Sequence, residues 1–171
     1  GDVYKRQILL RHGKSDWNTD DDDFDRPLKK RGKNASAMVG EWLKRRKLSP
    51  DYVISSPATR ALQTAEIACR AMGIKKKNIY RQKHIYLATA EELLHVLADC
   101  PVQAQRVMLV GHNPGLEELL FFLVNGNLTI PADGKIMPTA TLAVMHMPDD
   151  WQKLESGVAQ LDFLVRPGEI S

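Results

Sequence analysis

Three short stretches carry side chains suited to the chemistry of a tetrahedral anion. They are Arg11-His12-Gly13, Ser55-Ser56-Pro57 with Arg60 one turn later, and Gly111-His112-Asn113. Each follows an apolar run: Ile8-Leu9-Leu10, Tyr52-Val53-Ile54 and Val107-Met108-Leu109-Val110. An apolar run cut off by polar residues reads as a buried strand emerging at a sheet edge. In open α/β sheets ligands sit at the carboxyl ends of strands, and Gly13 permits a tight turn with close backbone approach. Alone, residues 8–13 fit equally well a strand that ends in polar residues with His12 partly exposed. If the sheet is parallel, all three endings converge, and two imidazoles and two guanidinium groups share one pocket. Guanidinium forks bind phosphate oxygens in pairs and keep their charge. Helices opening after Pro57 and Pro114 add backbone donors. One imidazole can attack phosphorus to form a phosphoenzyme; a second can stabilise the group in transfer.

The elements that must position these residues follow from periodicity. Ala35, Met38, Val39, Trp42 and Leu43 recur at helical spacing within a helix expected over 28–47. Lys44 to Lys47 crowd its last turn, where cations suit the helix dipole, so the basic cluster has a structural explanation. A second helix is expected from Pro57 to Met72, with Pro57 in its first turn and Gly73 as its stop. Ile79-Tyr80 reads as a short strand, and Thr89 with Glu92 as a capping box opening a helix that Pro101 ends. Pro114-Gly115 opens a helix that Gly126 ends. Thr141 to Met147 and Val158 to Val165 read as two closing strands. This alternation implies an α/β three-layer sandwich, a mostly parallel central sheet with helices on both faces and an added strand that can run antiparallel. A single domain is expected over 1–171. Residues 1–7 are polar, lack an initiator Met, and are expected to be a non-native or disordered lead.

The totals narrow the function class. A 171-residue chain can bury a real core. Its 43% hydrophobic and 26% charged residues are ordinary for a soluble protein. A net charge of +3 with only 6% aromatics is too weak a basic bias for nucleic acid. No apolar run approaches a membrane span and no signal-peptide pattern is present, so neither membrane nor secretion is expected and a cytoplasmic location is. Cys69 and Cys100 have no metal spacing and no sign of pairing, which fits a reducing compartment. His12 and His112 show no HxH or HExxH spacing, and the two arginines would repel a cation, so no metal and no cofactor are expected. The run Asp20 to Asp23 with Asp25 reads as a solvated acidic turn, since a calcium loop needs a glycine and a distal glutamate that are missing. His84, His95 and His146 read as ordinary surface or edge histidines.

At this point the residues resemble a family. Leu10-Arg11-His12-Gly13-Lys14-Ser15-Asp16-Trp17-Asn18 is similar to the signature of the histidine phosphatase superfamily, with its phosphoglycerate-mutase-like fold. The segment from Ser55 to Ala65, containing Arg60, resembles the second motif, and Gly111 to Leu116 the third. Arg26-Pro27-Leu28 with Gly32, and the short length, resemble the SixA-like branch of phosphohistidine phosphatases. The resemblance implies that His12 is the nucleophile, that Arg11 and Arg60 clamp phosphate, and that His112 steadies the transition state. It implies Arg26 as a further phosphate ligand, with pairing to the acidic loop as the alternative. Asn18 is read as an amide ligand, with turn formation as the alternative.

Mutase and acid-phosphatase relatives carry a carboxylate that protonates the leaving oxygen. Its segment should lie near Tyr86-Leu87, where this chain reads Ala88-Thr89-Ala90-Glu91-Glu92. Glu92 is explained by the capping box and Glu91 by the first helical turn, so Glu91 is a weak candidate. An alkoxide leaving group without general acid help loses about 10²–10⁴-fold in rate, whereas an imidazole leaves far more easily. The expected function is therefore a metal-independent phosphatase acting through phospho-His12 on protein phosphohistidine. The alternatives are a small-molecule phosphomonoesterase and a catalytically idle phosphate- or protein-binding module. The partner is a phosphorylated protein or a small phosphate ester, and the chain is expected to be a monomer.

Overall fold

Six strands form the middle layer in the spatial order β3-β2-β4-β1-β5-β6. A computed structural model describes residues 4–170. The strands are β1 (Lys5–Arg11), β2 (Tyr52–Ser55), β3 (Ile79–Arg81), β4 (Arg106–Gly111), β5 (Leu142–Met147) and β6 (Gln160–Val165). The helices are α1 (Lys30–Arg45), α2 (Thr59–Ala71), α3 (Ala90–Ala98) and α4 (Gly115–Leu123). β1, β2, β3 and β4 pair in parallel. β5 lies antiparallel to both β1 and β6 and is the one strand that runs the other way. Chain and fold therefore agree with a three-layer α/β sandwich around a mostly parallel sheet.

Alternation along the strands loads both faces. Ile8, Leu10, Val53, Met108 and Val110 pack with residues of α1 and α2, such as Val39, Leu43, Ala61 and Ala65. Leu9, Ile54 and Leu109 pack against residues of α3 and α4, such as Leu93, Leu97, Leu116 and Leu119. A sheet covered on both faces needs apolar residues at every position, which is why these strands read as continuous apolar runs.

Four boundaries differ from expectation. β1 begins at Lys5, so residues 5–7 are strand and not a disordered lead; residues 1–3 lie outside the described residues. Gln7 is fully buried, and its Nε2 donates to the carbonyls of Ile8 and Val107. α1 starts at Lys30, because Leu28 forms a bridge with Ser15. α2 starts at Thr59, which puts Pro57 ahead of the helix and not in its first turn. β6 starts at Gln160, two residues after Val158. Gly73, at φ +76°, stops α2, and the Thr89–Glu92 capping box is formed on both sides. Cys69 and Cys100 are free and buried, and burial pushes both thiols up to about 12. No helix of the described residues is long and apolar enough to cross a membrane.

Candidate active site

β1, β2 and β4 are neighbours and parallel, so their carboxyl ends meet. Arg11 stands opposite Gly111 and Ser55 opposite Val110. The next residues, His12, Ser56 and His112, are all buried. The rings of His12 and His112 lie 5.2 Å apart at 52°.

His12 is held by its own turn. Nδ1 lies 2.7 Å from the Gly13 carbonyl oxygen. A carbonyl only accepts, so Nδ1 carries the ring proton and Nε2 keeps an unshared pair. Gly13 in turn donates its N–H to Thr64 Oγ1 at 3.0 Å, and Thr64 donates to the Arg60 carbonyl at 2.8 Å. The tight approach expected at Gly13 is made by Gly32 of α1: a Cβ on Gly13 would meet the Gly32 oxygen at 2.7 Å.

Ser56 fixes the second imidazole. Its Oγ accepts from the Ala58 N–H at 3.2 Å and lies 2.8 Å from His112 Nε2. The hydroxyl hydrogen has no other acceptor among the described residues, so it points at Nε2. His112 then carries its proton on Nδ1. Burial pushes both imidazoles down, His12 to about 4 and His112 to about 3; His112 is lowered further by His12 and Arg60, and His12 by Arg60 and Arg11. Both rings are neutral near pH 7: one presents a lone pair, the other an N–H.

Around His12 three buried donors have no partner among the described residues: Arg11 Nε, Arg60 Nε and His112 Nδ1. Buried polar groups are nearly always hydrogen-bonded in folded proteins, so three unpartnered donors on residues that act on His12 by charge or lie 5.2 Å from it ring to ring suit an anion. The outer end of Arg11 is fastened by the Met137 carbonyl at 3.0 Å.

The acidic loop departs from expectation. Asp23 is not simply solvated. Its backbone carbonyl accepts from Arg60 Nη1 at 2.5 Å, Oδ2 from Arg60 Nη2 at 3.2 Å, and Oδ1 from Arg26 Nη1 at 2.9 Å. Oδ2 also accepts from the Tyr86 hydroxyl at 2.5 Å. The Tyr86 hydrogen bond, with Arg60 and Arg26, holds the Asp23 carboxyl down at about 2. The loop is drawn over α2 because that helix has no side-chain cap at Ala58, and the Phe24 carbonyl accepts the Thr59 N–H at 3.0 Å instead.

Arg26 is buried and takes the alternative that its sequence position left open, pairing with Asp23. Its Nε donates to Ser15 Oγ at 3.0 Å and its guanidinium lies 3.6 Å from the centre of the Trp17 ring. Asn18 is exposed and its N–H bonds Asp16 Oδ1 at 2.9 Å, the geometry of a turn. Glu91 is exposed in the first turn of α3 and takes part in none of these bonds. His84 and His95 are exposed, and His146 sits on β5 beside Tyr4, as expected of histidines outside the site. Ser56, Thr64, Asp23 and Tyr86 are the site residues that sequence reasoning did not assign. Thr64 could have been found, since it lies one helical turn after Arg60. Among the described residues no three His, Cys, Asp or Glu side chains converge to hold a metal.

Comparison with known proteins follows the same lines. The model of the histidine phosphatase superfamily (branch 1) matches residues 7–95. The chain is similar to the solved SixA protein of Agrobacterium tumefaciens, a candidate phosphohistidine phosphatase, at 32% identity and a TM-score of 0.80, covering 96% of this chain and 99% of that one. The candidate phosphohistidine phosphatase SixA of Nakamurella multipartitia is similar at 26% identity and a TM-score of 0.81, covering 97% and 98%. An uncharacterized protein of Mycobacterium tuberculosis is 29% identical over 156 residues, 89% of this chain and 96% of the relative.

Proposed function

This chain belongs to the histidine phosphatase superfamily, and from that premise we propose that it is a metal-independent phosphatase that works through phosphorylated His12 and acts on protein phosphohistidine. The observation that carries the reading is the His12 Nε2 lone pair in a site where His112 lies 5.2 Å away ring to ring, Arg11 and Arg60 act on His12 by charge, and Arg11 Nε, Arg60 Nε and His112 Nδ1 are buried donors without a partner among the described residues.

In the first step His12 Nε2 attacks phosphorus. The P–N bond to the substrate imidazole breaks and its electron pair goes to the departing nitrogen. Arg11 and Arg60 stabilise the charge on the equatorial oxygens, and the His112 Nδ1–H donates to one of them. In the second step water attacks phospho-His12, releasing inorganic phosphate and restoring the imidazole. The low proton affinity of His12 keeps the nucleophile free at neutral pH without a separate base.

Two features favour phosphohistidine over an alkyl ester. An alkoxide leaving group needs a proton donor. Asp23, the carboxyl hydrogen-bonded to Arg60 and Arg26, is held at about 2 and is ionised at any working pH. The likeness to the A. tumefaciens SixA over 96% of the chain supports the same substrate class.

The test is turnover of a phosphohistidine-bearing carrier protein against an alkyl phosphate monoester, both in chelator. The wild-type protein should prefer the carrier, keep its rate in chelator, and acquire an acid-labile label from radioactive carrier. His12→Asn should acquire none. Faster hydrolysis of the alkyl ester, or a label that survives in His12→Asn, refutes the proposal.

A further inference from the structure

We propose that Asp23 is a specificity-determining residue: its carboxylate accepts a hydrogen bond from the distal ring N–H of the leaving imidazole and so selects leaving groups that bring their own proton. This rests on the phosphohistidine reading above and explains how the site works without a general acid.

Position comes first. The Asp23 side chain is 48% exposed, while that of Arg60, which it holds, is 6% exposed. The carboxylate therefore lies on the solvent side of a buried guanidinium whose charge acts on His12. A carboxylate has about four lone-pair sites. Arg60 and Tyr86 take two on Oδ2 and Arg26 takes one on Oδ1, which leaves Oδ1 an acceptor direction. The Tyr86 ring lies 5.5 Å from that of His112 and edge-on to Phe24 at 5.1 Å. Together they give that side of the site an aromatic flank against which an imidazole can pack.

Chemistry follows from charge. With its carboxyl held down at about 2, chiefly by the Tyr86 hydrogen bond, Asp23 is ionised at pH 7. It cannot donate a proton to a departing alkoxide, and its charge opposes one. It can accept from N–H. A phosphorylimidazole protonated on its distal nitrogen loses the phosphoryl group with the P–N electrons passing to the proximal nitrogen. It departs as neutral imidazole, and the distal proton stays where it was. A carboxylate on that N–H stabilises the protonated, labile form. The guanidinium groups of Arg60, Arg11 and Arg26 all act on His12 by charge, so the phosphoryl group is still attracted.

The experiment compares kcat/KM on a phosphohistidine peptide and on p-nitrophenyl phosphate, whose leaving group has no N–H, for the wild type, Asp23→Asn and Asp23→Glu. A ratio taken on one preparation cancels any difference in folded fraction. Asp23→Asn should lose about 10- to 100-fold more on the peptide than on the aryl ester, the range for a hydrogen bond to a charged group. Asp23→Glu should recover part of that ratio. The alkaline limb of the peptide reaction should lie about one pH unit higher in the wild type than in Asp23→Asn. Equal losses on both substrates, with the wild type active on the peptide, overturn this inference alone and leave Asp23 as a support for Arg60. A wild type that cleaves the aryl ester and leaves the peptide intact overturns the phosphohistidine reading and this inference together.

Discussion

Replacing Ser56 by Ala tests whether one hydroxyl sets the working tautomer of His112. Ser56 is fully buried, so no solvent replaces the lost group. The change removes two hydrogen bonds, the 2.8 Å contact to His112 Nε2 and the 3.2 Å bond from Ala58 N–H, and leaves two buried polar atoms unsatisfied. Orphaning a buried polar atom costs about 1–3 kcal/mol, and the new methyl hydrogen relieves none of it. Two such atoms at the lower bound total about 2 kcal/mol, which corresponds to a fall in Tm of at least about 4–8 °C for a domain of this size. Activity should fall further. His112 is no longer obliged to hold its proton on Nδ1, and losing one preorganised donor to a transferring group costs up to about 10²–10³ in kcat. Since the other tautomer is only partly populated, a loss of about 10- to 100-fold in kcat, with a small change in KM, is the expected result. Ring ¹⁵N shifts supply the direct assay: the wild type should show His112 protonated on Nδ1, and Ser56→Ala a mixture. A wild-type spectrum with the proton on Nε2, or a variant with unchanged kcat, refutes the reasoning.

Gly32→Ala should destabilise by about 1–3 kcal/mol on urea denaturation, because its Cβ would lie 2.3 Å from the Lys14 carbonyl oxygen and backbone cannot rotate aside. Gly168→Ala, which meets open space, should stay within about 0.5 kcal/mol. Stability should also fall as pH is lowered from 6.5 to about 4. His12 accepts a proton at 6.5 when unfolded but only at about 4 when folded, so the unfolded chain binds more protons across that window. At 1.36 kcal/mol per pH unit this amounts to about 3 kcal/mol, present in full above 6.5. His112, held at about 3, adds a fall of the same sign over that window, so His12→Asn should lessen the slope and leave the part due to His112; a slope unchanged in His12→Asn counts against the buried neutral imidazole.

Why some of this was legible in the chain and some was not comes down to range. Arg11, His12 and His112 were legible because each signal is local: an apolar run, then a cation or imidazole beside glycine; Arg60 lies in the first turn of α2 and was marked only by its nearness to the end of β2. The step from three local endings to one pocket needed only that strands alternate with helices, which makes the crossovers parallel and sends the endings to one edge. The lead was misread for a related reason. Lys5 and Gln7 are polar, but β1 lies between β4 and β5, so both are buried, and they carry their own partners, Lys5 Nζ on the Val102 carbonyl and Gln7 on Val107.

Asp23 shows where local signals stop. Five carboxylates stand within six positions, and nothing in their spacing says which turns inward. The choice is made by contacts 37 and 63 residues away, to Arg60 and Tyr86, and by the Phe24 carbonyl that caps α2 in place of a side chain. An uncapped helix start is itself a readable signal, because the Ala58 side chain has no oxygen to accept the first N–H groups and some other oxygen must. A search for that oxygen leads from Arg60, one residue past the first turn's opening, to the loop that must lie over it. The acidic run and the bare helix start are thus two halves of one device. The helix needs an acceptor, the loop supplies it, and the carboxylate next to that acceptor is thereby set on the guanidinium whose charge acts on the nucleophile.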